Sequence, residues 1–394
     1  MRFLNQIIAV TKLNILNLPR RIATSVVAII GVMAVVLVFA AVLSMAKGFE
    51  QTLISAGADD VAIVLRSGAT GEMMSGLSNE QTQLISNMPG VLKDGERPVT
   101  SAELFVVVDV PKKKTGSDAN VPLRGVQADA FDVRSNVEIV DGRMFEAGKN
   151  EMIVGRAAQH EFIGLETGST IRFGRVDWQV VGAFSDAGSV SESEIWTDSR
   201  VLQDAYRRGS SYQSVRARLQ SEASFAEFKE ALSNDPRFEV DVFIERDFYA
   251  DQAEATSAFI RNLGYPITFL MAIGAVFGAL NSMYASVSSR GTEIATLRAL
   301  GFGPFAVLVS TIIESTFLAL VGGLAGGALA FVVFNGFRVS TLGGSFSQVV
   351  FDFAVTPELL MQGIQVALII GLVGGLLPAI RAARLPVAQA LREL

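Results

Sequence analysis

The chain has 394 residues, half of them apolar and only 18% charged, with a formal net charge of −6. Soluble domains carry about 25% charged residues, so this composition excludes an ordinary soluble globular protein. Cysteine is absent, which excludes a disulfide framework or a cysteine-ligated metal site and leaves the compartment open.

Four apolar runs account for the composition: residues 22–46, 263–287, 304–334 and 359–380. Each exceeds the ~20 residues that cross ~30 Å of hydrocarbon. The expected fold is an α-helical membrane protein with four transmembrane helices and a large extracytoplasmic α+β domain between helices one and two. Short-loop Lys and Arg set the orientation. The N-terminal segment holds Arg2, Lys12, Arg20 and Arg21, the 288–303 loop holds Arg290 and Arg298, and the tail 381–394 holds Arg381, Arg384 and Arg392. These three segments are expected to be cytoplasmic, so that the large domain and the 335–358 loop face outward. Residues 47–262 then carry a net charge of −11 by count, which argues against nucleic-acid binding.

In chain order, residues 1–21 intersperse Phe3, Leu4, Ile7, Ile8, Leu13 and Leu16 with polar residues, the pattern of an interfacial amphipathic helix. Ser44-Met45-Ala46 could pass for a signal-cleavage site, but the preceding apolar run is far longer than the 7–15 residues of a signal core, so an anchor is expected. The helix should continue to Gly57. A strand follows at Asp60–Arg66, a short helix near Ser78–Asn87 and a strand at Val106–Val110. Lys112–Lys114 reads as a solvated hairpin tip, with a lipid or partner contact as the minority reading.

Residues 137–184 alternate turns with short strands, including a helix near Arg156–Ile163 and a hairpin of Thr170–Phe173 and Trp178–Val181 around Gly174-Arg175. Helices at Arg200–Tyr206 and Ser221–Asn234, with strands at Ser214–Leu219 and Phe238–Phe243, give a βαβ unit within a domain of residues 47–245. Residues 246–262 carry neither Pro nor Gly and should form a stalk helix continuous with the second span.

Between spans two and three, the sixteen residues Ser288–Gly303 contain Arg290, Glu293 and Arg298, with Ile294, Leu297 and Leu300 at i, i+3, i+6. That is a short charged helix with one apolar ridge. The plain alternative is a polar turn. Gly274 with Gly278, Gly322 with Gly326, and Gly371 with Gly375 form small-residue pairs for helix–helix packing. Glu314 is the one ionisable group inside a span; proton or substrate coupling, an interfacial salt bridge and an interhelical hydrogen bond are its possible roles. His160 is the sole histidine and reads as a surface or capping residue. No catalytic triad or metal-ligand cluster emerges, so no catalytic, cofactor-binding or metal residues are assigned. No G-x-x-x-x-G-K-[ST] occurs.

The segment R-G-T-E-I-A-T-L-R-A-L-G (Arg290–Gly301), followed by a Gly-rich span, closely resembles the coupling segment of MacB/FtsX-type ABC transporter permeases. The 137–184 block resembles the MacB-type periplasmic core domain, where this region inserts as a β-rich subdomain into a porter-like one. Asn17–Arg21 and the closing P-A-I-R-A-A-R are also similar to the family. The resemblance implies a non-catalytic permease subunit, with ATP and Mg²⁺ bound by a separate ATPase. It implies docking of that ATPase on Arg290, Glu293, Ile294, Leu297 and Arg298. It also implies a second permease copy or paralogue, and transmission of ATPase motion along the stalk in the bacterial inner membrane. Three activities stay open: efflux with a periplasmic adaptor and outer-membrane duct, lipoprotein or lipid extraction, and mechanotransmission to cell-wall hydrolases.

Overall fold

The structure is a computed structural model that describes residues 2–343 and 347–387. The expected tail beyond residue 387, with Arg392, lies outside the described residues. The chain divides into a membrane unit (Met1–Lys47, Ala258–Phe337 and Phe353–Leu394) and a sheet unit (Gly48–Ser257 and Arg338–Asp352). The helices are α1 Arg2–Leu16, α2 Ile22–Ile54, α3 Asn79–Ser86, α4 Ala130–Val133, α5 Arg156–Glu161, α6 Ser199–Ala205, α7 Ser224–Ser233, α8 Glu245–Ser289, α9 Gly291–Ala299, α10 Pro304–Phe334 and α11 Pro357–Ala383. The first strands are β1 Val61–Arg66, β2 Leu77–Ser78, β3 Lys93–Asp94, β4 Arg97–Pro98, β5 Thr100–Pro111, β6 Asp118–Val126, β7 Glu138–Gly142 and β8 Glu151–Gly155. There follow β9 Thr170–Phe173, β10 Val176–Ser185, β11 Ile195–Asp198, β12 Ser211–Tyr212, β13 Ser214–Arg218, β14 Val240–Ile244, β15 Arg338–Leu342 and β16 Gln348–Asp352.

In the membrane unit, α2, α8, α10 and α11 are long and apolar enough to cross a membrane. Their association rests on small residues, because lipid is as apolar as leucine and only close packing favours contact. Gly322 and Gly326 of α10 lie against the α2 backbone; a Cβ added there would come within 2.7 Å of Ile29 O and 2.6 Å of Met33 O. Gly371 and Gly375 of α11 lie against Ala319 and Ser315 of α10, and the Ser315 hydroxyl donates to Gly371 O at 2.8 Å. Gly274 and Gly278 depart from the expectation: a Cβ at either would meet nothing within 4 Å. They lie on the face of α8 that also exposes Leu270 and Phe277, away from α2, α10 and α11.

α8 is one helix from Glu245 to Ser289, so the expected stalk and second span are continuous through the internal Pro266. The amphipathic α1 exposes Leu4, Ile8 and Leu16 but buries Val10 and Asn14.

The sheet unit is built on a ten-stranded sheet ordered β14-β1-β13-β5-β6-β11-β8-β10-β7, with β9 paired to β10. β13 and β14 pair antiparallel to opposite sides of β1. The expected βαβ unit therefore forms with β1 between its two parallel strands. α3 starts in a capping box, in which Ser78 and Gln81 each satisfy the other's backbone N–H. The expected β9–β10 hairpin turns at Gly174, whose φ is +60°, the left-handed conformation that a two-residue hairpin loop requires.

β5 extends six residues ahead of the expected Val106 start. Its first part, Thr100–Glu103, pairs with β13; its second part, Leu104–Pro111, pairs with β6. One strand thus hands the sheet from one half to the other. The core beside the first part gathers Ile85, Val215, Phe228 and Leu232, and the core beside the second gathers Leu123, Phe162, Trp178 and Leu202. The 335–358 segment, expected as a plain loop, contains the β15–β16 hairpin. This hairpin joins the sheet unit through Ser193 Oγ, which accepts from Val350 N at 2.9 Å. It also takes a bond from the Lys112 ammonium to Ser340 Oγ at 2.9 Å. Lys113 pairs with Glu166 at 2.7 Å. The lysine hairpin tip is therefore partly engaged within the unit.

Candidate functional site: the coupling segment and the buried ionic hub

α9 forms because its nine residues, G-T-E-I-A-T-L-R-A, contain no proline and are followed, after the cap residue Leu300, by the left-handed Gly301 (φ +94°), a residue type that closes helices without steric cost. Ile294 turns inward and packs with Val287, Val307 and Ala382. The expected ridge of Ile294, Leu297 and Leu300 is therefore split: Ile294 is 6% exposed and Leu300 is 73% exposed, with Leu297 half-buried. Arg298 is half-buried, and its guanidinium donates to Ala383 O at 3.2 Å and Leu385 O at 2.6 Å. That clamps α9 to the end of α11 and suits a cation near a helix C-terminus.

Arg290 does not face outward. It is 5% exposed. Its Nη1 donates to Glu314 Oε2 at 2.8 Å and its Nη2 donates to Asn14 Oδ1. Asn14 Nδ2 in turn donates to Ser310 Oγ at 3.3 Å. Of the expected docking residues, Arg290 and Ile294 thus hold α9 from behind, because an apolar side chain and a charge that has found its counter-ion both gain by burial. Glu293, Thr296, Ala299 and Leu300 form the exposed face. Glu314 is 1% exposed and pairs with Arg290, the salt-bridge role among those open to it. Sequence reasoning did not single out Asn14; an amide one turn from Val10 on the inner face of an amphipathic helix was the available signal.

The sheet unit holds a second constellation that the sequence did not reveal. Glu103, where β5 changes partner, receives Arg134 Nη1 at 2.7 Å, Arg124 Nη1 at 2.9 Å and Arg216 Nη1 at 2.5 Å. Arg124 also binds Glu72 at 2.8 Å and Glu194 at 2.7 Å. Arg216 also binds Glu72 at 2.9 Å and Glu245, the first residue of α8, at 2.6 Å, and donates to Tyr249 Oη at 3.0 Å. Three arginines thus meet four glutamates, all buried. Burial alone pushes the Glu103 carboxyl up, but the guanidiniums of Arg134, Arg216 and Arg124 outweigh it and hold it at about 2. Glu72 follows the same balance and lies well below the usual carboxylate range, held there by Arg124 and Arg216. The arginine planes are covered by aromatic faces: Arg124 lies 5.1 Å from the Phe105 centroid and Arg134 lies 5.0 Å from that of Trp196. The hub binds both halves of the sheet to the start of α8. Its signal in the sequence was an arginine at an inward position of an apolar strand, as in V-P-L-R-G-V and S-V-R-A-R.

Among the described residues no group of three or more His, Cys, Asp or Glu is placed to hold a metal ion. The hub's carboxylates are occupied by guanidiniums. His160 lies in the last turn of α5.

A family model for the MacB-like periplasmic core domain matches residues 22–235, and one for the FtsX-like permease C-terminal domain matches residues 266–387. The chain belongs to the MacB/FtsX family of ABC transporter permeases. As a member it is an inner-membrane protein with a periplasmic domain, which the sheet unit supplies. It is 27% identical over 394 residues to the macrolide export ATP-binding/permease protein MacB of Vibrio parahaemolyticus, covering 92% of this chain and 56% of that protein. It is 26% identical over 395 residues to MacB of Bdellovibrio bacteriovorus, covering 92% and 58%. The chain therefore spans little more than half the length of these curated relatives. The periplasmic region of MacB from Actinobacillus actinomycetemcomitans aligns at 13% identity with a TM-score of 0.38, covering 49% of this chain and 92% of that one.

Proposed function

We propose that this chain is the transmembrane subunit of an ATP-driven export complex. A separate ATPase, which binds the ATP and Mg²⁺, docks on the outer face of α9 from the cytoplasmic side, where both termini lie. The observation that carries this reading is α9 itself: a short helix between two membrane helices, clamped on its inner face and open on its outer face at Glu293, Thr296 and Leu300. Exposed Leu300 is an apolar anchor beside the Glu293 charge, the combination that gives an interface both burial and register. Nucleotide-driven motion enters at α9 and passes along α8 to the periplasmic domain, the porter-like half and the inserted β6–β11 half of which meet at the hub. A second permease copy or paralogue completes the complex.

Efflux with a periplasmic adaptor and an outer-membrane duct is the favoured activity, supported by relatives named for macrolide export. One observation favours lipid or lipoprotein extraction instead. An apolar groove of ≈ 530 Å³ runs between α8 and α11, with Tyr265, Phe269 and Val276 on one wall and Val366, Ile369 and Val373 on the other. Regulation of cell-wall hydrolases gains no structural support.

The test is co-purification of the tagged full chain with its ATPase in nanodiscs. Leu300→Asp and Glu293→Arg are each expected to reduce the retained ATPase at least ~10-fold, the effect of losing one well-buried interface contact. Full retention by both folded variants rejects α9 as the docking site. Retained adaptor would favour efflux, and co-purifying acylated cargo would favour extraction.

A further inference from the structure

Arg290 is the single residue between α8, which ends at Ser289, and α9, which begins at Gly291. Its side chain does not follow either helix. It reaches Glu314 of α10 at 2.8 Å and Asn14 of α1, while Nε lies 3.5 Å from Glu293 Oε2 on α9. Three helices, α1, α9 and α10, thus meet at one guanidinium. Asn14, Ser310 and Glu314 are 4%, 0% and 1% exposed, so the group lies in a dry interior.

We propose that Arg290 is the pin of the coupling joint: a positioning residue that makes α1, α9 and α10 move as one body when the outer face of α9 is displaced. The inference rests on the docking reading above and adds how the displacement leaves α9. Separating Arg290 from Glu314 would strand a carboxylate and a guanidinium in a low-dielectric site, the costliest arrangement available to them. Displacement of α9 therefore carries α10 with it. The Ile294 contact holds the middle of α9 and the Arg298 clamp its far end, so the helix has no free end about which to rotate independently. Exposed Glu293, with Oε2 3.5 Å from Arg290 Nε, links the outer face to the pin.

The experiment uses the full chain with its ATPase in nanodiscs, comparing wild type, Glu314→Gln, Arg290→Lys and the exchange Arg290→Glu with Glu314→Arg. Three quantities are read: ATPase retained, ATP hydrolysis by the retained complex against that of the ATPase alone, and the distance distribution between spin labels at Thr292 and Phe317 with and without nucleotide. Glu314→Gln and Arg290→Lys are expected to retain the ATPase, lose permease-dependent hydrolysis by ~5-fold or more, and broaden the label distance when nucleotide binds. The exchange is expected to restore part of both. Wild-type coupling and an unchanged distance in the two single variants would overturn the pin. Loss of the ATPase from folded single variants alone would also overturn it, returning Arg290 to the docking surface. Failure of wild type to retain any ATPase would instead remove the docking reading on which the pin depends. If a single variant does not reach the membrane, the exchange decides: recovered coupling supports the pin, and a folded but uncoupled protein rejects it.

Discussion

Glu103→Ala is expected to destabilise the periplasmic domain by about 3–5 kcal/mol, because it strips the buried Arg134 guanidinium of its carboxylate and takes one of three carboxylates from each of Arg124 and Arg216. The reason lies in the placement of Glu103 where β5 leaves β13 for β6, with arginines arriving from both sides. A domain of about 200 residues loses roughly 2–4 °C per kcal/mol, so the midpoint should fall by roughly 6 °C or more. The two tryptophans of the chain, Trp178 and Trp196, are both buried in this domain, so intrinsic fluorescence of the full chain follows it selectively. pH gives a second reading with a defined sign. The Glu103 carboxyl is held at about 2, below its ordinary value of 4.5. Its contribution is therefore complete above pH ~4.5 and is lost as pH falls from there toward ~2; Glu72 is shifted in the same direction. Wild type should lose stability steeply over that window and Glu103→Ala less steeply. Equal midpoints for the two proteins at pH 7 would show that the hub contributes specificity of geometry without net stability.

The contrast between this hub and the spans shows what a single sequence can reveal. A span is a property of about twenty consecutive residues, so composition alone locates it. α9 is likewise local: nine residues between two spans, bounded by Gly291 and Gly301. The hub is not local. Glu72, Glu103, Arg124, Arg134, Glu194, Arg216 and Glu245 are spread over more than 170 positions, and apart from Arg124 and Arg216 at inward positions of apolar strands, each alone resembles a solvated surface charge. Only the sheet order brings them together. The same limitation explains Arg290. From its own neighbourhood it reads as one more charge keeping a loop in water, and it needs Asn14 and Glu314, roughly 276 and 24 positions away, to become a buried pin. The β15–β16 hairpin escaped notice for a related reason: its partners, Ser193 and Lys112, are far upstream. Gly274 and Gly278 show the converse case, with no described helix of this chain on their face. Their spacing is that of a packed pair, but spacing specifies a face without specifying its occupant.

That last point is testable by a pair of matched substitutions. Gly326→Ala places a methyl within about 3 Å of Met33 O and Val36 Cβ, so α2 and α10 must separate; overpacking of this kind costs about 1–3 kcal/mol. Gly278→Ala meets nothing within the chain, and alanine in an open helix position is favoured over glycine by about 0.5–1 kcal/mol. The two variants should therefore shift stability in opposite directions. Because the natural chain has no cysteine, a single Ala40→Cys on the buried face of α2 supplies a thiol whose labelling rate reports opening of the helix bundle without background. In that background, Gly326→Ala should accelerate labelling by roughly 5-fold or more and Gly278→Ala should leave it unchanged or slow it, as expected if labelling follows the open population. A Gly326→Ala variant that labels no faster would mean that α2 and α10 relax around the added methyl without loss. A Gly278→Ala variant that labels faster only at high protein density in the membrane would mean that this face of α8 packs against a second copy, for which the glycine pair was kept clear.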